Sequence, residues 1–234
     1  MIENEAEPKK CLPPRFIFAE RVKTKKSVRP NVELITHLLQ RLDAILRSNS
    51  VRLIENIREL SAEIDCLVPY RDGHSLRVAE LSVRIGKWMK LEAAELEKLE
   101  LAALLHDFGK VGVEEELLEK EEALSNEEYT EITYHALRGY YILSGFPQLE
   151  EISLIVRDHH ERYDGKGYPH AKAYDGIDLL ARIIAVADTY DAMTSNRPYR
   201  KAFSLKEAER RIRRASGTQF DPRIVKIFLA EVLR

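Results

Sequence analysis

Seven histidines punctuate this 234-residue chain: His37, His74, His106, His135, His159, His160 and His170. A lone histidine is ordinarily a satisfied core or surface residue, and His37 and His170 read that way. The other five keep different company. His106 and Asp107 end the run LELAALLHDFGK, in which Leu99, Ala102, Ala103, Leu104 and Leu105 would bury a helix and carry both side chains to its end. Burying ionisable groups is costly unless they pair or bind a metal. The same arrangement recurs in ISLIVRDHH, which delivers His159 and His160, and in ARIIAVADTYDAM, which sets Asp188 within an apolar helix. A structural core has little reason to build three such helices.

Imidazole nitrogens and carboxylate oxygens suit borderline first-row ions such as iron, manganese, cobalt or zinc. Cys11 and Cys66 lie far apart and form no Cys-x-x-Cys pair, so a structural zinc site of the usual kind is not expected. Five histidines and two aspartates are more donors than one ion can use once water and substrate have places. Two ions sharing a carboxylate absorb the excess. Ions ~3.5–4 Å apart can clamp a phosphate, generate hydroxide near neutral pH and stabilise a leaving oxygen, so phosphoester hydrolysis is the reaction class the residues suggest. Directly after the paired histidines comes ERYDGKGYP. Gly165, Gly167 and Pro169 could simply shape a turn. Following two candidate ligands, the turn also suits a pocket wall, with Tyr168 either stacking on a base or packing inward.

These side chains need helices to carry them. Residues 1–30 read as an irregular lead-in of acidic residues, prolines and a basic run from Arg21 to Arg29. From Asn31, a plausible N-cap, Leu34, Ile35, Leu38, Leu39, Leu42, Ile45 and Leu46 recur at helical spacing, and Val51, Ile54, Ile57, Leu60 and Ile64 repeat the pattern. These two helices could pack on the main domain or pair with a second copy in a homodimer. After Pro69 the spacing predicts helices at 75–90, 92–107, 126–144, 148–160, 177–195, 204–216 and 222–233, with Ser125, Ser204 and Asp221–Pro222 as starts. Strand signals are nearly absent, so the fold class is all-α, divided into a lead-in and helical extension at 1–65 and a principal domain at 66–234.

Composition narrows the partners. With 37 basic and 39 acidic residues the formal charge is −2, which gives no argument for nucleic acid. The basic cluster Arg210, Arg211, Arg213 and Arg214 is interleaved with Glu207 and Glu209 and reads as a solvated face. Apolar stretches fall far short of the ~20 residues of a membrane span, and MIENEAEPKK lacks a secretory apolar segment. Together with the sparse cysteines, this points to a cytoplasmic protein.

The ordered set GHSLRVA (73–79), LLHDFGKVGV (104–113), His135 with Gly139, HHERYDGKGYP (159–169), ARIIAVADTYDAMTSNRPYR (181–200) and SGTQFDP (216–222) resembles the HD-GYP branch of the HD phosphohydrolase superfamily. The resemblance covers residues 66–234. It implies an HD-domain helical bundle that hydrolyses the bacterial second messenger cyclic di-GMP to the linear dinucleotide or GMP. It also implies two divalent first-row ions, iron first and manganese second, without an organic cofactor. By the same resemblance His74, His106, Asp107 and Asp188 hold one ion. Asp107, as a catalytic bridge, holds the second with His135, His159 and His160. Lys110 matches a catalytic lysine near the scissile phosphate, and Arg197 and Arg200 match phosphate-gripping positions. Asp191, Gly167 and Tyr168 are the remaining expected substrate contacts.

Two departures from the family pattern stand out. Tyr70 occupies the position from which some members bind a third metal through glutamate, so two ions are expected rather than three. Val113-Glu114-Glu115 replaces the usual proline and aspartate, altering a loop beside the site. Two rival readings are an HD-type hydrolase of another nucleotide and a catalytically weak dinucleotide sensor or protein-interaction module. The completeness of the ligand set favours the enzyme.

Overall fold

A computed structural model describes residues 32–48, 51–66, 73–120, 122–196 and 201–233. The irregular lead-in, the Asn31 cap, Tyr70 and both candidate phosphate-binding arginines, Arg197 and Arg200, lie outside them.

The described chain runs through α1 (Val32–Arg47), α2 (Leu53–Asp65), α3 (His74–Trp88) and α4 (Ala93–Leu105). A 3-10 turn at Phe108–Gly112 leads to the short α5 (Glu115–Leu118). Then come α6 (Asn126–Thr133), α7 (His135–Leu143), α8 (Glu150–Asp158), α9 (Leu179–Thr194), α10 (Leu205–Arg214) and α11 (Pro222–Ile227). A π-turn at Phe228–Val232 ends the series. Among the described residues, two isolated bridges, Asp164 with Ala173 and Ser216 with Phe220, are the only β-type pairing.

Expected caps form. Ser125 Oγ accepts the Glu128 N–H and the Glu128 carboxylate accepts the Ser125 N–H; Ser204 and Asp221 cap α10 and α11. One expected helix is divided: 126–144 is interrupted at Tyr134, and α7 begins on His135. There the His135 ring, rather than continuing helix, bonds the Ile132 carbonyl.

The core is one apolar cluster running from Ile35, Leu38 and Leu42 of α1 through Ile57 and Leu60 of α2 to Phe228 and Val232. Its centre is α4, whose Leu99, Ala102, Ala103 and Leu105 are fully buried, wrapped by α3, α2, α8 and α9. The 3-10 turn packs on α7 through two glycines. A Cβ on Gly109 would lie 2.0 Å from the His135 carbonyl oxygen and 2.5 Å from the Gly139 nitrogen. That close approach brings the end of α4 against the start of α7.

Candidate metal centre

Three buried histidines are held by the same local device. Helix C-termini leave carbonyls without intrahelical partners, and a histidine just beyond can satisfy one. His106 Nδ1 bonds the Ala103 carbonyl at 2.7 Å, His135 Nδ1 that of Ile132 at 2.7 Å, and His159 Nδ1 that of Val156 at 2.5 Å. In each the carbonyl is three residues back. A carbonyl can only accept, so Nδ1 carries the proton and Nε2 turns its lone pair away from the helix, into the space between α4, α7 and α8.

His74, the first residue of α3, is held differently. Its Nδ1 meets Asp191 Oδ2 at 2.7 Å, and Asp191 in turn accepts from Arg77 Nε at 2.6 Å. Asp191 is thus buried behind His74, with both oxygens engaged there rather than in an open pocket. The pair Asp188 and Asp191, three apart on α9, sends one carboxylate to His74 Nε2, at 3.3 Å, and the other to its Nδ1.

Asp107 stands between two groups of candidate donors. Its Oδ2 lies 3.7 Å from His74 Nε2 and 3.6 Å from His106 Nε2, while its Oδ1 lies 3.5 Å from His135 Nε2. On one side His74, His106 and Asp188 present donor atoms within 4.8 Å of one another; on the other His135, His159 and His160 do the same. His106, Asp107 and His159 form a third such group that joins the two. All seven residues expected as ligands are therefore brought together. Asp188 and His160 are half-buried and mark the open side, while the other five are buried.

Burial dominates the electrostatics. It pushes His159 down to about 3, helped by His106 and His135, and holds His106, His135 and His160 below the ordinary histidine range as well. These rings are neutral near pH 7 and so able to donate to a cation. Burial alone would raise Asp188, but the hydrogen bond and charge of His74 outweigh it and hold the carboxyl well below the ordinary carboxylate range.

The donor set fits divalent ions. His106 Nε2 is buried without a hydrogen-bond partner, an expensive arrangement in a protein and an ordinary one for a ligand. Two donors each about 2.1 Å from one ion lie about 3.0–3.4 Å apart at ordinary coordination angles, close to the 3.3–3.7 Å separations here. Lys110, one turn beyond Asp107, is buried and paired with Asp107 Oδ2.

The GYP segment forms the adjoining wall. Gly165 is left-handed (φ 75°), and a Cβ on Gly167 would lie 2.3 Å from the Arg162 nitrogen and 2.6 Å from the His160 oxygen. Gly167 is therefore set against the backbone that carries His160. Tyr168 packs inward: its ring centre lies 4.9 Å from that of His160, and its N–H donates to the His160 carbonyl. Sequence reasoning missed Glu161, whose buried carboxylate accepts the His170 and Lys172 N–H groups and closes the loop. A fourth acidic group, Asp158 with Glu161 and His170, is engaged in that closure, since Lys172 Nζ bonds Asp158 at 2.6 Å. The loop docks on the SGTQFDP turn through Tyr163 N–H to Gln219 O and Asp164 N–H to Thr218 O.

Comparison with known proteins agrees with this architecture. A family model for the HD domain matches residues 43–224. A cyclic di-GMP phosphodiesterase of Thermotoga maritima is 38% identical over 172 residues, 71% of this chain and 47% of the relative. A 3'3'-cGAMP-specific phosphodiesterase 3 of Vibrio cholerae is 36% identical over 159 residues, 68% of this chain and 35% of the relative. The crystal structure of a cyclic GMP-AMP-specific phosphodiesterase of Vibrio cholerae superposes with a TM-score of 0.61 at 20% identity, covering 77% of this chain and 48% of that one. The chain spans about half the length of the Thermotoga relative and about a third of the Vibrio one. With the motifs, the helical fold and these matches in agreement, the chain belongs to the HD-domain family, in its HD-GYP branch.

Proposed function

We propose that this chain is a metal-dependent phosphodiesterase acting on cyclic di-GMP and releasing the linear dinucleotide or, after a second cleavage, GMP. The observation that carries the reading is the Asp107 carboxylate, whose two oxygens face two separate donor sets. The relatives' names supply the substrate class. His74, His106 and Asp188 would hold one divalent ion and His135, His159 and His160 the other, with Asp107 shared. Iron is favoured by the histidine-rich donors and manganese is the alternative. When bound, such ions supply Lewis acidity to a phosphoryl group and lower the pKa of water.

The chain's own residues supply orientation and charge. The Nδ1 bonds to Ala103, Ile132 and Val156 fix the rings before any ion arrives. Lys110 is placed to offset negative charge on a phosphate brought to Asp107. Tyr168 and the glycine turn keep His160 in place. Among the described residues no helix is long and apolar enough to cross a membrane, consistent with action on a cytoplasmic messenger. The apolar residues of α1 and α2 pack in the chain's own core, so a homodimer through these helices would have to use their outer faces, and light scattering tests it.

The deciding experiment is anaerobic purification, metal analysis and turnover of cyclic di-GMP beside 3'3'-cGAMP, the substrate named for the Vibrio relative. About two ions per chain and a higher kcat/KM for cyclic di-GMP are expected. A fully loaded protein that leaves cyclic di-GMP intact would sink the assignment, and preference for the mixed dinucleotide would move the chain to the rival reading of an HD-type hydrolase of another nucleotide.

A further inference from the structure

Helix α3 starts on His74, yet the residue before it offers no cap. Gly73 has left-handed backbone (φ 66°, ψ 19°) and no side chain. The first amides of a helix need acceptors, and enclosed ones need them most. Here an acceptor arrives from another helix. Asp65, the last residue of α2, takes the Ser75 N–H on Oδ2 at 2.8 Å and the Ser75 hydroxyl on Oδ1 at 2.7 Å. Both residues are enclosed, 2% and 1% exposed. Asp65 is itself fixed, because Ile57, Leu60 and Ile64 anchor α2 in the same core as α3 and α4. A carboxylate at the positive end of α3 is favourable in its own right.

We propose that Asp65 is a positioning residue for the metal centre: it holds the first turn of α3 so that His74 Nε2 faces Asp107 and Asp188. The two N-terminal helices are then part of the site's support rather than an appendage. Asp191 sets the rotation of the His74 ring, and Asp65 sets the backbone from which that ring projects. The inference rests on the metal-centre reading above.

The test uses the full chain and manganese alone. Ion-free wild type, Asp65→Ala, Asp65→Asn and His74→Ala each compete with a fluorescent chelator for Mn(II), and hydrogen exchange is followed at the Ser75 and Arg77 amides. Asp65→Ala should weaken one of two Mn(II) equivalents by about tenfold, the size of a lost helix cap, and speed exchange at both amides to a similar degree. Asp65→Asn, which can still accept the Ser75 N–H, should recover most of both losses. If Asp65→Ala does not fold, Asp65→Asn and Ser75→Ala carry the test, each expected to weaken the same equivalent by about threefold. Unchanged affinity in folded Asp65→Ala, or in folded Ser75→Ala where Asp65→Ala does not fold, with His74→Ala weakened, overturns the role of Asp65 alone. Unchanged affinity in His74→Ala as well overturns the metal-centre reading beneath it.

Discussion

On one side of Asp107, the donors His74 and Asp188 depend on partners far away in sequence: His74 comes from α3, while Asp188 and the supporting Asp191 come from α9. On the other side, His135 and His159 are held by carbonyls three residues back, and His160 follows in the same turn. The first half is anionic and assembled by tertiary packing. The second is neutral and nearly finished once each helix ends. One centre therefore combines a half that remote substitutions can spoil with a half that mainly local packing can spoil. His106 belongs to both descriptions, locally held yet grouped with the anionic side.

Removing a donor from either half breaks the symmetry most severely. His74→Ala and His135→Ala should each cost activity well beyond the about 10–100-fold typical of an outer partner. Each should leave roughly one bound ion, measured by metal analysis of the gel-filtered protein. Loss of both ions from either variant would mean the halves are not separable. Asp191→Ala comes next, with about 10–100-fold weaker metal affinity confined to the first half. Equal weakening of both equivalents would erase the distinction between them. Gly109→Ala probes the second half, since its Cβ would meet the His135 carbonyl. A loss of about 1–3 kcal/mol in urea unfolding is expected, together with weaker binding of the second ion.

The smallest effect concerns protonation of the ion-free chain. His159 sits near 3 when folded and near 6.5 when unfolded, so below pH 6.5 the unfolded state takes up a proton that the folded state refuses. Its contribution is intact above pH 6.5 and declines as pH falls towards 3. Between pH 7 and 5.5 this amounts to about 1 kcal/mol for one histidine. A His159→Gln variant should show a correspondingly shallower fall in its urea midpoint. Parallel curves for the two proteins would contradict the neutral, buried state of His159.

Much of this centre was legible in the sequence because most of its donors stand directly beside an apolar run. LLHD, VRDHH and AVAD each show an apolar run meeting an ionisable group, and the structure places all of them at one centre. The break before His135 was not legible, because 126–144 has an unbroken helical pattern and only the ring's bond to Ile132 reveals the interruption. Nor was the placement of Asp191: three residues from Asp188 it reads as another pocket carboxylate, and its burial against His74 and Arg77 depends on contacts 117 and 114 residues distant. Asp65 was hidden for the same reason, lying at the end of a helix whose sequence shows only an amphipathic pattern. Periodicity reports which face a helix buries; it does not report which neighbour its last side chain will cap.

In the proposed reading Asp107 is shared between the unlike halves, and metal stoichiometry in Asp107→Ala examines that sharing most closely. Wild-type chain and variant are loaded anaerobically with the same ion, desalted and analysed alongside turnover of cyclic di-GMP. About two ions per chain in the wild type, with both lost together with activity in the folded variant, is the expected result. An Asp107→Ala protein that keeps two ions would show that each half binds alone and that the carboxylate between them is not shared.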